Sequence, residues 1–224
     1  MASLTITTIQ TNLIWEDKTA NLHLLEQKIN AIEDKTEIIV LPEMFGTGFS
    51  MRPQALETMD GQTVEWMKRV SRENGIILTG SVMIEEAGKY YNRLIWMLPN
   101  GQYGYYDKRH LFAFGEEDKQ YSPGNKRLIA SVKGWKINLL ICYDLRFPVW
   151  ARQAPPSSVD GGETEYDLLI YHSGNSLVID PLGQVLYHLA DEEEVNSITL
   201  EKETLHEIRA KFPFWKDADR FNIQ

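Results

Sequence analysis

Three residues of different chemistry stand at or near the ends of apolar runs: a thiol at 142, a carboxylate at 43 and an amine at 108. Cys142 is the one cysteine among 224 residues. It closes Ile137-Asn138-Leu139-Leu140-Ile141, after which the chain turns polar. A thiol at the exit of a buried strand sits at the rim of a sheet, within reach of a substrate. That position makes Cys142 a candidate nucleophile. Packed inward, the same residue would be an inert small hydrophobe. Glu43 follows Val40-Leu41-Pro42. A carboxylate there is not placed for packing, although a surface or helix-capping glutamate is the commoner outcome. Lys108 opens the basic triplet Lys108-Arg109-His110, where a solvated lysine is ordinary. No one of the three is decisive; their combination is.

The elements that must position them follow from periodicity. Residues 4–10 alternate as a strand. Residues 17–32 predict a helix, with Leu22, Leu25, Ile29 and Ile32 on one face. Residues 37–43 predict a short apolar strand stopped by proline. Residues 62–74 predict a second helix that turns Val64, Met67 and Val70 inward and stops at Gly75. Strands follow at 76–84, 90–98 and 103–108, with Pro99-Asn100-Gly101-Gln102 as a hairpin turn. The cysteine strand comes next, then a short helix after Pro148. Later strands are expected at 166–171, 176–179 and 185–189. This mixture of βαβ units and hairpins fits a layered α/β fold. The stretch 154–163, rich in Pro, Ser and Gly, reads as a surface loop rather than a linker, since strands flank it.

Composition narrows the class. The hydrophobic share of 43% and charged share of 25% suit a globular domain. The net charge of −9, with no basic cluster, argues against nucleic acid as a partner. One cysteine cannot close an intrachain disulfide, which points to a reducing compartment. The first residues lack the charged start and apolar core of a signal peptide. No apolar run approaches the ~20 residues that span a bilayer, so no membrane partner is expected and the protein is expected to be cytoplasmic. The five histidines show no metal-ligand spacing, and Gly46-Thr47-Gly48 is too short for a phosphate loop. No metal and no cofactor are implied.

In three places the chain resembles the nitrilase superfamily of carbon–nitrogen hydrolases. Leu41-Pro42-Glu43-Met44-Phe45 matches the segment of the family's catalytic glutamate. Tyr106-Asp107-Lys108-Arg109-His110-Leu111-Phe112 matches that of its lysine. Leu140-Ile141-Cys142-Tyr143-Asp144-Leu145-Arg146-Phe147-Pro148 matches its nucleophile elbow. Shorter matches, including Tyr91-Asn92, Ser122-Pro123-Gly124 and His172-Ser173-Gly174-Asn175-Ser176, extend the likeness over nearly the whole chain. The elbow and the tail Phe212-Pro213-Phe214-Trp215-Lys216-Asp217-Ala218 are similar to those of omega-amidases, whose bacterial branch acts on 2-oxoglutaramate.

The resemblance implies a four-layer α-β-β-α sandwich and a homodimer. It implies hydrolysis of the terminal amide of a small 2-oxo acid amide through a thioester at Cys142. Glu43 would be the base, and Lys108 with the backbone N–H of Tyr143 would hold the oxyanion. A supporting glutamate is expected at Glu117, with Glu116 as the alternative. Arg146 is a candidate for the substrate's far carboxylate, against a structural ion pair with Asp144 or another acid. Tyr143, Phe45 and Phe112 are candidate pocket walls. A nitrilase, carbamoylase or aliphatic amidase, or a non-catalytic binding protein on the same scaffold, is the alternative function.

One region departs from the family. Ile170-Tyr171 runs straight into His172-Ser173-Gly174, where members carry a loop, a helix and a further strand. Residues 1–224 read as a single domain from which a segment of roughly forty residues is absent near 171–172, judged by ordinary domain size. Either the sequence is part of a longer chain or the deletion is genuine; the first is favoured, because losing a helix and a strand exposes apolar surface and opens the site to water.

Overall fold

A computed structural model describes residues 2–153 and 164–214. The loop expected at 154–163 and the tail beyond 214 lie outside the described residues. In chain order the elements are β1 (Ser3–Gln10), α1 (Lys18–Asn30), β2 (Ile38–Val40), α2 (Gln62–Asn74) and β3 (Ile77–Glu86). Then come β4 (Lys89–Met97), β5 (Tyr103–Asp107), α3 (Glu117–Gln120), β6 (Leu128–Val132), β7 (Trp135–Ile141) and α4 (Pro148–Ala151). The chain continues with β8 (Leu168–His172), β9 (Leu177–Ile179), β10 (Val185–His188), β11 (Glu194–Glu201) and α5 (Lys202–Lys211).

Six strands form one sheet in the order β11-β1-β2-β3-β4-β5. Its centre, β1-β2-β3, is parallel, and both flanks are antiparallel. Alternation along each strand feeds two cores, because successive side chains point to opposite faces. Ile39, Leu78 and Ile95 face α1 and α2 and meet Leu25, Ile29, Met67 and Val70. Leu4, Ile38, Val40 and Leu94 face the other way, into a second core that includes Ile137, Leu139 and Leu140 of β7. Helix α1 is capped by the Asp17 carboxylate, which accepts from Ala20 N–H at 3.0 Å. Gly75 ends α2 at φ 66, where a side chain would be strained.

The second layer is β6-β7-β8, with β7 and β8 parallel. Helices α4 and α5 add Ala151 and Leu205 to its core. The hairpin β9-β10 forms a separate two-stranded sheet. Leu177, Ile179, Leu182, Val185 and Leu186 on or beside it are about half exposed. Among the described residues the outer edge of β8 pairs with no strand.

Periodicity places β1, α1, α2, β3, β4, β5 and β7 within a few residues. It does not find β6, β11 or α5. β11 carries Asn196 and Ser197 mid-strand and is only half covered, so its alternation is weak. α5 buries one residue, Leu205. The strand expected at 37–43 ends at Val40, and Glu43 stands in the turn beyond it.

Candidate active site

Glu43 reaches the site because the chain leaves β2 in a fixed turn. Leu41 N–H donates to Thr79 C=O, Met44 N–H to the Ser81 hydroxyl and Phe45 N–H to Ser81 C=O, pinning the turn to β3. Met44 takes φ 47. Lys108 is the first residue after β5. Its N–H donates to Asn92 C=O on β4, and its C=O accepts from Gly124 N–H. Gly124 is required there: a Cβ would lie 2.1 Å from the Asp107 carbonyl oxygen. Cys142 follows the last residue of β7 at φ 37, a left-handed conformation that lifts the residue out of the strand.

These turns bring the charges together. Lys108 Nζ lies 2.8 Å from Glu43 Oε1 and 2.9 Å from Glu117 Oε2. Asn92 Nδ2 donates to Glu43 Oε1 at 2.8 Å and to Glu117 Oε1 at 2.9 Å. Phe112 N–H donates to Glu117 Oε2 at 2.7 Å. Lys108 and Glu117 are buried, and Glu43 is nearly so. Asn92 is the residue that sequence patterning did not single out as part of the site. An asparagine beside Arg93 within the strand β4 was the available signal, since strands disfavour it and its amide, once buried, must find partners.

The adjacent acids at 116 and 117 separate sharply. Glu116 takes a left-handed φ of 63, points to solvent and pairs with Lys119. That turn directs Glu117 inward. Burial raises the Cys142 thiol pKa and the Glu43 charge raises it further, against Ser173 and Lys108. Burial also pushes the Glu43 carboxyl up, against the attraction of Lys108. For Lys108 burial works downward, but the charges of Glu43 and Glu117 outweigh it and hold the amine cationic. At rest the thiol is protonated and Lys108 is a fixed cation beside Glu43.

Phe112 meets Tyr143 at 5.0 Å between ring centroids, and Tyr143 meets Phe147 at 5.4 Å. His110 stacks on Phe147 at 3.9 Å. Phe45 does not join this row; it is buried in the first core against Trp66. Arg146 is exposed, and the pairing with Asp144 does not form: Asp144 bonds Tyr106, His110 and Ile141 instead.

A buried carboxylate–lysine–carboxylate cluster beside a strand-end thiol is equipment for acyl transfer. Residues 5–159 match the family model described as carbon–nitrogen hydrolase, and the chain belongs to that family. The omega-amidase YafV of Escherichia coli K12 is 32% identical over 266 residues and is covered completely, as is this chain. That alignment is 42 positions longer than the chain's 224 residues. The 2-oxoglutaramate amidase of Bacillus subtilis is 26% identical, with 95% of this chain and 96% of that protein covered. The crystal structure of XC1258 from Xanthomonas campestris, a CN-hydrolase superfamily protein with an arsenic adduct in its active site, aligns at a TM-score of 0.93. Its identity to this chain is 32%, with both chains fully covered. Yeast Nit3, of the nitrilase superfamily, shares the fold at a TM-score of 0.77 and 22% identity, with 95% of each chain covered. No helix among the described residues is long and apolar enough to cross a membrane.

Proposed function

We propose that this hydrolase cleaves the terminal amide of a small 2-oxo acid amide, 2-oxoglutaramate or 2-oxosuccinamate, releasing ammonia. The observation that carries the reading is the Glu43–Lys108–Glu117 cluster around one cation, with Glu43 near enough to Cys142 for its charge to raise the thiol pKa. Glu43 takes the thiol proton as Sγ attacks the amide carbon. The carbonyl oxygen becomes an oxyanion, met by Lys108 Nζ and the N–H of Tyr143. Glu43 returns the proton to the nitrogen, the C–N bond breaks and ammonia leaves. Water then attacks the thioester, giving its proton to Glu43; the C–S bond breaks and the thiol is restored. Glu117 and Asn92 hold Lys108 and Glu43 in register. Arg146, four residues beyond the nucleophile, is the candidate for the far carboxylate, with Tyr143 and Phe112 as walls. The similarity to proteins named omega-amidase and 2-oxoglutaramate amidase supports this choice of amide. Ammonia release across a panel of 2-oxo acid amides, simple aliphatic amides, nitriles and N-carbamoyl acids tests it. The reading expects the 2-oxo acid amides to be preferred; a preference for any other class overturns it.

We also infer that the working enzyme carries a further segment near residues 171–172. The open edge of β8, the apolar surface of the β9-β10 hairpin and the longer alignment with YafV support this. The intact mass of the protein from its source is the test. A mass near 25.9 kDa sinks the inference, and a mass several kilodaltons higher supports it.

A further inference from the structure

Asp144 is fully buried two residues past the nucleophile, and its carboxylate accepts four hydrogen bonds. Oδ1 accepts from the backbone N–H of His110 at 3.0 Å and from His110 Nδ1 at 2.8 Å. Oδ2 accepts from the Tyr106 hydroxyl at 2.7 Å and from the backbone N–H of Ile141 at 3.1 Å. The Tyr106 oxygen in turn accepts from Arg109 N–H at 3.0 Å and from Trp150 Nε1 at 3.1 Å. Ile141 immediately precedes Cys142, and Arg109 and His110 immediately follow Lys108. One carboxylate thus ties the nucleophile's elbow to the lysine's loop.

We infer that Asp144 is a positioning residue for the hydrolytic reaction, setting the placement of the Cys142 thiol relative to Lys108 and Glu43. It does not touch the reacting atoms. It fixes the peptide on the strand side of a nucleophile held at φ 37, a conformation that needs support from its surroundings. It also fixes the peptides that follow the lysine expected to meet the oxyanion. The inference rests on Cys142 being the nucleophile but not on the identity of the amide.

Asparagine is the sharp test, because it preserves shape and changes only the bonding. Its single oxygen serves one pair of donors, and its NH2 faces the other pair. His110 Nδ1 can exchange its donor for an acceptor role; the Tyr106 oxygen, already accepting from Arg109 and Trp150, and the N–H groups of His110 and Ile141 cannot. Whichever way the amide sits, one of those two backbone N–H groups faces a donor. Asp144→Asn is therefore expected to lower kcat about 100-fold, as a displacement of roughly 1 Å between reacting groups would. KM should change little, because no substrate contact is removed. Alkylation of Cys142 by iodoacetamide, read by mass, should slow about 10-fold in the same variant, since Glu43 no longer meets the thiol in register. Tyr106→Phe removes one donor to Asp144 and keeps the ring. It is expected to cost about 5-fold in kcat at unchanged KM.

Parental kcat with an unchanged alkylation rate in folded Asp144→Asn overturns the inference. So does a rise in KM without a fall in kcat. If Asp144→Asn does not fold, Tyr106→Phe decides: a lower kcat at unchanged KM supports the tie, and an unchanged kcat overturns it. If the parent hydrolyses none of the panel amides, the substrate reading fails on its own. The alkylation rates of parent and variants still decide the role of Asp144.

Discussion

The first sheet and the second layer are built to different standards. The centre of the six-stranded sheet is buried on both faces, between α1 and α2 on one side and β7 on the other. Its strands end in the turns that hold Glu43, and Asn92 and Lys108 lie on it or at its edge. The second layer is divided between β6-β7-β8 and the hairpin β9-β10, whose large apolar side chains are about half exposed. Cys142 comes from the well-packed part of that layer, the end of β7. Ser173, which acts to lower the thiol pKa, lies just past the junction where the two parts meet. Glu43, Asn92 and Lys108 therefore stand on the well-packed sheet, while one flank of the thiol faces the less complete region.

The largest effect is expected where buried charge is densest. Lys108→Met leaves Glu43 and Glu117 facing each other without a cation. Removing one partner of such a buried cluster should cost about 3–5 kcal/mol of stability and abolish ammonia release, read by denaturant melts and an ammonia assay. Glu43→Gln keeps the shape and removes the proposed base, and kcat should fall by about 10²–10⁴-fold. The pH profile sharpens the assignment. The raised pKa of Glu43 puts the acidic limb of kcat/KM above the ordinary carboxylate range, with activity lost as pH falls through it. That limb should disappear in Glu43→Gln.

Two stability measurements bear on the contrast between the regions. Leu78→Ala empties a fully buried site in the first core and should cost about 2–5 kcal/mol. In the 224-residue chain, Leu177→Ala in the hairpin should stay within about 0.5 kcal/mol. Equal costs would mean that the hairpin is packed against something, and the contrast would fail. His172 joins the two layers: it ends β8, and its Nδ1 donates to the Leu41 carbonyl at 3.0 Å. Burial pushes its pKa down to about 4. The folded state thus resists a proton that the unfolded state accepts. Stability should be full above about pH 6.5 and fall by about 3 kcal/mol as pH drops to about 4. His172→Gln should flatten that slope in acid unfolding curves.

What could be read from the chain follows how local each signal is. Glu43, Lys108 and Cys142 stand out because each carries a recognisable stretch on both sides, and the helices α1 and α2 because their apolar faces repeat regularly. The inward choice of Glu117 over Glu116 depends on a single φ at 116, which adjacent acids do not reveal. Asn92 is hidden by its strand, since its role comes from carboxylates at positions 43 and 117. The pairing of Arg146 with Asp144 was reasonable from proximity. It fails because Asp144 turns inward to four donors while Arg146 faces solvent. β11 escapes notice because half of its support comes from β1, nearly two hundred residues away in the chain.

The most direct test of the central claim is acyl capture on Cys142. Parent and Cys142→Ala proteins are mixed with 2-oxoglutaramate and quenched in acid, with intact mass and released ammonia read together. The parent is expected to release ammonia and to show a mass increase equal to the substrate less ammonia, located on Cys142. Cys142→Ala should show neither while melting at the parental temperature. Ammonia release by folded Cys142→Ala, or an acyl group found elsewhere on the chain, would contradict the account.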